Sequence, residues 1–101
     1  MNIKDLTLRV EKISQNYAKK FDIKRDDSWF VLKLQEEMGE LIQSYMMLSG
    51  KGRKKGKLTD EIKHEFESEV ADVLGQLLLL AKHFKVNIER IVNEKWLKYE
   101  K

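Results

Sequence analysis

Residues 28–48 read SWFVLKLQEEMGELIQSYMML, and residues 59–84 read TDEIKHEFESEVADVLGQLLLLAKHF. In both stretches apolar residues recur at steps of three and four, which places them on one face of an α-helix. Each stretch also contains a short acidic cluster, Glu36-Glu37-Met38-Gly39-Glu40 in the first and Glu69-Val70-Ala71-Asp72 in the second. Carboxylates near a core are costly unless they are paired or bind a metal ion, so the clusters indicate a metal site.

The rest of the chain has the same helical pattern. Proline is absent, and the only strong break is the glycine-bearing stretch 50–57. We expect a first helix at roughly 3–21, a polar link at 22–27, and three further helices with N-caps at Ser28, Thr59 and Asn87, the first two of these ending near Leu48 and Phe84. The short links predict an all-α fold, an antiparallel four-helix bundle in a single domain, 1–101. So short a chain is expected to bury its wide apolar faces against a second copy.

The composition restricts the kind of protein. With 101 residues, of which 42% are hydrophobic, the chain fits one small domain with a large surface to cover. It has no cysteine, so disulfides and thiolate metal sites are excluded and a reducing interior is expected. The longest apolar run, Leu77 to Ala81, is far too short to span a bilayer, and the N-terminus lacks the apolar segment of a secretory signal. We therefore expect a soluble, cytoplasmic protein without a membrane partner.

Helical geometry brings the acids of the two clusters toward one cleft. Glu37 and Glu40 are three residues apart and share a helix face, and so do Glu69 and Asp72. At about 100° per residue, Glu37 and Glu69 lie near the edges of their apolar stripes, while Glu40 and Asp72 lie further round. Four carboxylates facing one cleft offer only oxygen ligands. Magnesium is the hard ion that binds in this way together with substrate phosphates.

Two other interpretations of these acids stay open. In a chain with 37% charged residues, an acid pair at helical spacing is usually a solvated face. A di-iron carboxylate bundle needs Glu-x-x-His on each of two helices, and only Glu61-Ile62-Lys63-His64 fits that pattern. Gly39 and Gly75 favour a site, because a mid-helix glycine costs about 1 kcal/mol against alanine and usually accompanies close helix approach or room for a ligand.

Positive charge is concentrated between the two acidic helices. The net charge is only +3, yet one stretch with three glycines holds five cations, Lys51, Arg53, Lys54, Lys55 and Lys57. Such a basic loop attracts phosphates, whether free, on a nucleotide or on nucleic acid. A solvated connector is the alternative interpretation.

The sequence resembles a known family in three successive motifs. Leu34-Gln35-Glu36-Glu37-Met38-Gly39-Glu40-Leu41, then Glu69-Val70-Ala71-Asp72-Val73-Leu74, and then Asn93-Glu94-Lys95-Trp96 look like the motifs of the MazG-like all-α nucleoside triphosphate pyrophosphohydrolases, over about residues 28–98. The resemblance implies a helical bundle assembled as a dimer or a dimer of dimers. It also implies magnesium-dependent hydrolysis, with manganese as a substitute ion, of nucleoside triphosphates to a monophosphate and pyrophosphate, as in house-cleaning of non-canonical or surplus dNTPs.

Carried over by position, the resemblance implies roles for named residues. The magnesium ligands would be Glu37, Glu40, Glu69 and Asp72, and Glu36 would be a water-orienting acid. Asn93 and Lys95 would reach phosphate or ribose, although the arginines that commonly follow in the family are replaced here by Lys98 and Tyr99. Basic-loop residues would fold over the polyphosphate, across a subunit boundary, namely Arg53, Lys54, Lys55 and Lys57.

Two alternative functions stay open beside this one. The first is a non-catalytic helical interaction module, or a module that binds nucleic acid through the basic loop, although nucleic acid is not the expected partner. The second is a phosphoribosyl-ATP pyrophosphohydrolase, which shares the related fold and metal chemistry. Aromatic residues at apolar helical positions are expected in the core, with stacking on a base as the alternative: Phe21, Trp29, Tyr45 and Trp96. No catalytic task is expected for His64 or His83.

Overall fold

The computed structural model describes residues 1–101 and contains only helices. Four α-helices follow one another, α1 (Ile3–Lys20), α2 (Asp27–Leu48), α3 (Thr59–His83) and α4 (Ile88–Lys95), and a short 3-10 helix follows at Leu97–Tyr99. The predicted all-α class and the number of helices are therefore confirmed. None of the helices combines the length and the apolar character that a membrane crossing requires.

Side chains cap three of the four helices. Asn2 accepts a hydrogen bond from the backbone N–H of Asp5 at 2.8 Å, and Asn87 accepts one from the backbone N–H of Arg90 at 3.0 Å. These bonds satisfy amide groups that the first turn of a helix leaves without a partner. The predicted cap at Asn87 is confirmed.

The predicted caps of α2 and α3 are wrong by one or two residues. Asp26 caps α2 by accepting a hydrogen bond from the backbone N–H of Trp29 at 2.8 Å, so Ser28 lies inside the first turn. Thr59 is the first residue of α3, and Leu58 occupies the cap position without a side-chain hydrogen bond. Asp26, Asp27 and Ser28 all have cap-forming side chains, and Asp26, the first of the three, takes the role.

Helices α2 and α3 pack side by side in opposite directions and form the main body of the chain. The start of α2 meets the end of α3, where the ring of Phe30 stacks on the imidazole of His83 with 4.2 Å between ring centroids. In the same place His83 Nε2 lies 2.6 Å from Asp27 Oδ1. The buried apolar side chains of the chain centre on this hairpin, with one contribution from α1: Phe30, Ile62, Leu78, Leu79, Ala81 and Ala18.

Helix α1 packs against α3 and is tied to the segment that precedes α2. Arg25, in the link between α1 and α2, forms an ion pair with Glu11 on α1. The Arg25 guanidinium also lies over the ring of Phe30, 4.9 Å from its centroid. Because both contacts involve side chains that are largely out of water, they fix α1 more firmly than an exposed ion pair would.

The closed four-helix bundle that the sequence predicts is not formed within one chain. Helix α4 has no buried residue and begins beside the start of α1 and the end of α3. Only 8 of the 101 residues are buried, and the radius of gyration is 16.1 Å, whereas about 13 Å is usual for a compact domain of this length. The chain alone is therefore open, and three of the aromatics expected in the core are exposed: Phe21, Tyr45 and Trp96.

Helices α2 and α3 each carry a second apolar stripe that nothing in the chain covers. On α2 the exposed stripe consists of Val31, Met38, Ile42 and Tyr45, and on α3 it consists of Val70, Leu74, Leu77 and Phe84. In an antiparallel pair with Phe30 beside His83, Met38 lies level with Leu74, and Ile42 lies level with Val70. The two stripes are therefore neighbours and form one apolar surface, which we call the outer face.

Candidate metal centre and adjoining cavity

The acids of the two clusters meet between α2 and α3. One carboxylate oxygen from each of Glu37, Glu69 and Asp72 lies within 4.8 Å of the other two, and a second group of the same kind joins Glu36, Glu37 and Glu40. Glu37 belongs to both groups and is the centre of the cluster. Residues three apart share a helix face, and for this reason both acids of each pair point toward the same cleft.

Two of the carboxylates are held out of water without a hydrogen-bond partner. Glu37 is only 8% exposed, and its Oε2 is inaccessible to solvent. The Oε2 atom of Glu69 is equally inaccessible, and neither oxygen has a hydrogen-bond partner. A buried polar atom without a partner costs roughly 1–3 kcal/mol, and more when it is charged. The two oxygens are therefore suited to a ligand that supplies positive charge.

The environment of the cluster opposes its negative charge. Burial, together with the nearby charges of Glu40 and Asp72, raises the pKa of Glu37 from 4.5 to about 7, and Lys33 partly opposes the shift. Burial also raises the pKa of Glu69, with the same two acids contributing. Like charges at close range in a poorly solvated site favour the protonated form. A bound cation would reverse this preference and keep the acids ionised.

Lys33 is the cation that contacts the cluster. Its Nζ lies 3.3 Å from Glu36 Oε1 and 3.8 Å from Glu37 Oε1. Glu36 itself is exposed and lies on the solvent side of the cluster. Lys33 is the only cation in ion-pair contact with the cluster, so most of its carboxylates have no cationic partner.

A cavity of about 400 Å³ adjoins the acids. Glu37, Asp72 and Lys33 form one part of its wall. The remaining wall comes from all three of the first helices and is mostly apolar: Val10, Ile13, Ser14, Tyr17, Trp29, Ala71, Gly75, Gln76 and Leu79. The volume lies in the range of small-molecule sites.

The two mid-helix glycines do not mark close helix contacts within the chain. A Cβ atom built on Gly39 or Gly75 would meet no neighbouring atom within 4 Å. Gly75, however, lines the cavity beside Asp72, and the missing side chain there leaves the cavity wider. For Gly75 the interpretation as room for a ligand therefore fits, and that of close helix approach does not.

The basic loop lies at the far end of the hairpin from the cavity. Lys57 is engaged by Glu65, whose two carboxylate oxygens lie 2.7 Å and 2.9 Å from its Nζ. Arg53, Lys54 and Lys55 are exposed and make no ion pair. From Thr59 to Glu69 the helix rises about 15 Å, at 1.5 Å per residue. Within one chain Arg53, Lys54 and Lys55 therefore make no contact with the acids, whereas Lys57 reaches Glu65, one turn before Glu69.

The two residues of the C-terminal motif are also remote from the cluster. Asn93 and Lys95 are exposed on α4, and neither lines the cavity beside the acids. Helix α4 begins beside Lys82 of α3, which lies about 15 Å along the helix from Asp72. The chain by itself thus forms the acidic part of the predicted site and leaves its basic and polar parts elsewhere.

The histidine alternative is not supported by the geometry. Neither acid group within ligand distance contains a histidine. His64 is exposed, and His83 packs at the end of the hairpin against Phe30. The donor set of the candidate metal centre consists of carboxylate oxygens alone, which favours a hard ion over iron.

Lys33 and Gln76 were missed by the sequence reasoning, although each had a signal. Lys33 precedes Glu37 by four residues, and Gln76 follows Asp72 by four, so both lie on the acidic face of their helix. Trp29 was expected in the core, with stacking on a base as the alternative, and its place in the cavity wall depends on how α1 packs. Comparisons with protein-family models, with curated proteins and with solved structures find no match to this chain.

Proposed function

We propose that the chain is a magnesium-dependent nucleotide pyrophosphohydrolase of the MazG-like type, which cleaves nucleoside triphosphates to a monophosphate and pyrophosphate. The observation that carries the proposal is the pair of buried, unpartnered oxygens on Glu37 and Glu69, which lie beside Asp72 in an all-oxygen donor set. Such oxygens need a cation to offset the cost of their burial. The motif resemblance then supplies the substrate class.

The residues of the cluster fit a magnesium centre in type and number. Glu37, Glu69 and Asp72 would hold the ion directly, and Glu40, whose charge acts on both glutamates, would complete the set. Magnesium prefers oxygen ligands and retains sites for water and substrate phosphate. When bound, the ion would neutralise the polyphosphate and lower the pKa of a coordinated water.

Two side chains at the edge of the cluster have separate tasks in the proposed reaction. Glu36 is exposed and has an oxygen within 4.8 Å of those of Glu37 and Glu40, and in this proposal it would orient the attacking water and accept its proton. Lys33 lies within 3.8 Å of two of the acids and lines the cavity, so its ammonium group would contact a phosphate oxygen. Manganese would substitute for magnesium at such a site.

The remaining phosphate ligands would come from a second copy of the chain. The outer face of α2 and α3 is apolar and exposed, and packing two such hairpins together would produce the four-helix bundle that one chain lacks. In a dimer or dimer of dimers, the basic loop or α4 of one chain can lie beside the acids of another. This arrangement would bring in Arg53, Lys54, Lys55, Asn93 and Lys95. Lys57 is less suited, because Glu65 already occupies its ammonium group.

Pyrophosphate release tests the proposal. The chain is incubated with canonical and damaged dNTPs in the presence of magnesium or manganese, and the products are identified. We expect pyrophosphate and a monophosphate from at least one nucleotide, with loss of turnover in Glu40→Gln and Asp72→Asn. Glu67→Gln is the matched control, because Glu67 is an exposed acid on α3 outside both groups. No pyrophosphate from any nucleotide with either ion would refute the proposal.

A non-catalytic nucleic-acid module is the second candidate, and the basic loop favours it. Arg53, Lys54 and Lys55 are exposed and free of acidic partners, and their stretch is held in shape by hydrogen bonds from Lys51 and Gly52 to the Met46 carbonyl. Binding through such a loop would weaken steeply with salt. Salt-sensitive binding to DNA or RNA that survives Asp72→Asn, without pyrophosphate release, would select this candidate.

A further inference from the structure

One side chain in the link between α1 and α2 contacts both of these cavity-lining helices. The wall of the cavity beside the acids includes Tyr17 on α1 and Trp29 on α2. Arg25 forms an ion pair with Glu11 on α1. The Cζ atom of its guanidinium group also lies 5.8 Å from the ring centroid of Trp29 and 4.9 Å from that of Phe30, within the range of cation–π contacts. Arg25 therefore joins α1 to the start of α2.

The ion pair of Arg25 with Glu11 has a fixed geometry. Both oxygens of the Glu11 carboxylate have a partner, because Oε1 accepts from Arg25 and Oε2 accepts a hydrogen bond from Gln15 Nε2 at 3.2 Å. The side chains of Arg25 and Glu11 are only 15% and 18% exposed. Salt and water screen such a pair much less than an exposed one. The pair thus holds α1 at a defined place relative to the link.

Trp29 is held from two directions. Its ring stands edge-on to the ring of Phe30, with 4.9 Å between the centroids and 83° between the planes. Phe30 is 2% exposed and is therefore a firm support. The Arg25 guanidinium is the second neighbour of the half-buried Trp29 ring. The place of Trp29 in the cavity wall thus depends on Arg25.

Stability alone does not account for the contacts of Arg25. Its Nε–H group is inaccessible to solvent and has no hydrogen-bond partner. A buried donor without a partner costs free energy, which offsets part of the gain from the ion pair and the aromatic contacts. Partly buried ion pairs of this kind are weak evidence for stability, and a role in fixing geometry is the alternative.

We propose that Arg25 is a positioning residue, which fixes the spacing of α1 and Trp29 at the cavity and thereby sets how tightly the cavity holds the substrate. This inference rests on the proposed function for the identity of the substrate. Arg25 is not part of the cavity wall, so it acts through Glu11 and Trp29. The acids of the metal centre lie on α2 and α3. Loss of Arg25 is therefore expected to weaken substrate binding and to leave the chemical step in place.

Kinetic measurements on Arg25→Met test the assignment. Methionine is also unbranched and removes the charge and the ion pair. We expect KM for a nucleotide that the chain hydrolyses to rise about tenfold, while kcat changes less than about threefold. Arg9→Met is the matched control, because Arg9 is an exposed arginine on α1 outside the cavity, and it should change neither constant. An unchanged KM in Arg25→Met, or a loss confined to kcat, overturns the inference.

A double-mutant cycle separates the positioning role from a general loss of stability. Glu11→Gln removes the ion pair from its other end and should also raise KM. The variant with both changes should have the KM of Arg25→Met alone, because the two substitutions remove the same contact. Rises that multiply in the double variant would show that the two residues act separately and would overturn the inference. Arg25→Lys, which keeps the charge, takes the place of Arg25→Met if the latter does not fold, and it should raise KM by a smaller factor.

Fluorescence gives a readout that does not depend on turnover. The chain has two tryptophans, so in a Trp96→Phe background Trp29 is the only one. In Arg25→Met we expect its emission to shift to longer wavelength and its quenching by acrylamide to rise, because the ring loses its neighbouring guanidinium. Arg9→Met should match the parent. Unchanged emission and quenching in Arg25→Met overturn the inference, whereas absence of pyrophosphate release from the parent chain refutes the proposed function alone.

Discussion

Glu37 on α2 and Glu69 on α3 bring carboxylate oxygens within 4.8 Å of each other across the hairpin, and each also buries an oxygen that has no hydrogen-bond partner. Two acids in this relationship destabilise the fold when both are ionised, because they repel each other in a poorly solvated place. A divalent ion between them removes both costs. The stability of the chain should therefore depend on metal ions and on pH.

Magnesium or manganese is expected to stabilise the folded chain. At a metal concentration of about 100 times Kd, binding to the folded state alone adds about 2.7 kcal/mol, which raises Tm by roughly 10–20 °C. Thermal unfolding in metal and in EDTA measures the difference. Asp72→Asn should lose most of the rise, while Glu67→Gln should keep it. An equal rise in Asp72→Asn would show that the ion binds elsewhere.

Without metal, stability is expected to fall as pH rises from about 4.5 to 7. The folded chain holds a proton on Glu37 up to about pH 7, whereas the unfolded chain releases it near pH 4.5, so folding is favoured most at the acidic end. The loss is on the order of 3 kcal/mol and is complete above pH 7. Urea unfolding in EDTA between pH 4.5 and 8 measures it. Glu37→Gln should flatten the profile, and a wild-type profile that rises over this range would contradict the assignment.

Removing the cap of α2 is expected to destabilise the chain, and removing the neighbouring serine is not. Asp26→Ala loses the hydrogen bond to the Trp29 N–H and should cost about 1 kcal/mol. Ser28→Ala lies inside the helix, where alanine is the better helix former, and should be neutral or slightly stabilising. Urea unfolding of both variants at one pH measures the difference. Equal losses in the two variants would contradict the cap at Asp26.

The contact of Phe30 with His83 is expected to be a main source of stability. Phe30 is 2% exposed, and Phe30→Ala should cost about 3–5 kcal/mol, since it removes a buried ring and the stacking of that ring on His83. Tyr99→Ala is the control, because Tyr99 is 73% exposed and lies outside the outer face, and its loss should be much smaller. Denaturant unfolding measures both. Similar losses in the two variants would contradict the prediction.

The chain is expected to assemble through the outer face of α2 and α3. Sedimentation should give a mass of at least twice the 12.0 kDa of one chain. Ile42→Lys or Leu74→Glu places a charge in the middle of the outer face and should reduce the mass or unfold the chain. Leu58→Lys is the control, because Leu58 is an exposed apolar residue outside the two stripes. A monomeric parent chain would contradict this prediction and, with it, a site completed by a second copy.

Local sequence patterns predicted the parts of the fold that depend on near neighbours. The four helices follow from the three- and four-residue spacing of apolar residues. The cap at Asn87 was predictable because it depends on near neighbours only: its bond to the Arg90 N–H spans three residues. The meeting of Glu37 with Asp72 was also predictable, because an apolar stripe sets how a helix rotates against its partner. Ser28 was misassigned because Asp26 and Asp27 beside it can also form caps, and propensity alone does not separate the three. Thr59 was misassigned because α3 begins one residue after Leu58, whose side chain forms no cap bond.

The other parts of the candidate site depend on contacts between distant segments. The cavity exists because α1 packs against α3, which the ion pair of Arg25 with Glu11 helps to fix. That contact joins residues 14 positions apart, and no periodic pattern in the sequence predicts it. The ion pair of Lys57 with Glu65 is a second such contact, because a run of cations in the sequence does not show which of them is paired with an acid.

The sequence by itself determined an all-helical chain with two acidic faces that meet, because helix formation and helix rotation follow from the spacing of a few neighbouring residues. The tertiary structure alone decided that Glu37 and Glu69 bury unpaired oxygens and that Gln76 and Trp29 line a cavity beside them. It also decided that α4 begins beside Lys82, away from the acids, and that Lys57 is paired with Glu65. Burial and cavity shape depend on where whole helices lie, and that placement is settled by the summed packing of residues far apart in the chain.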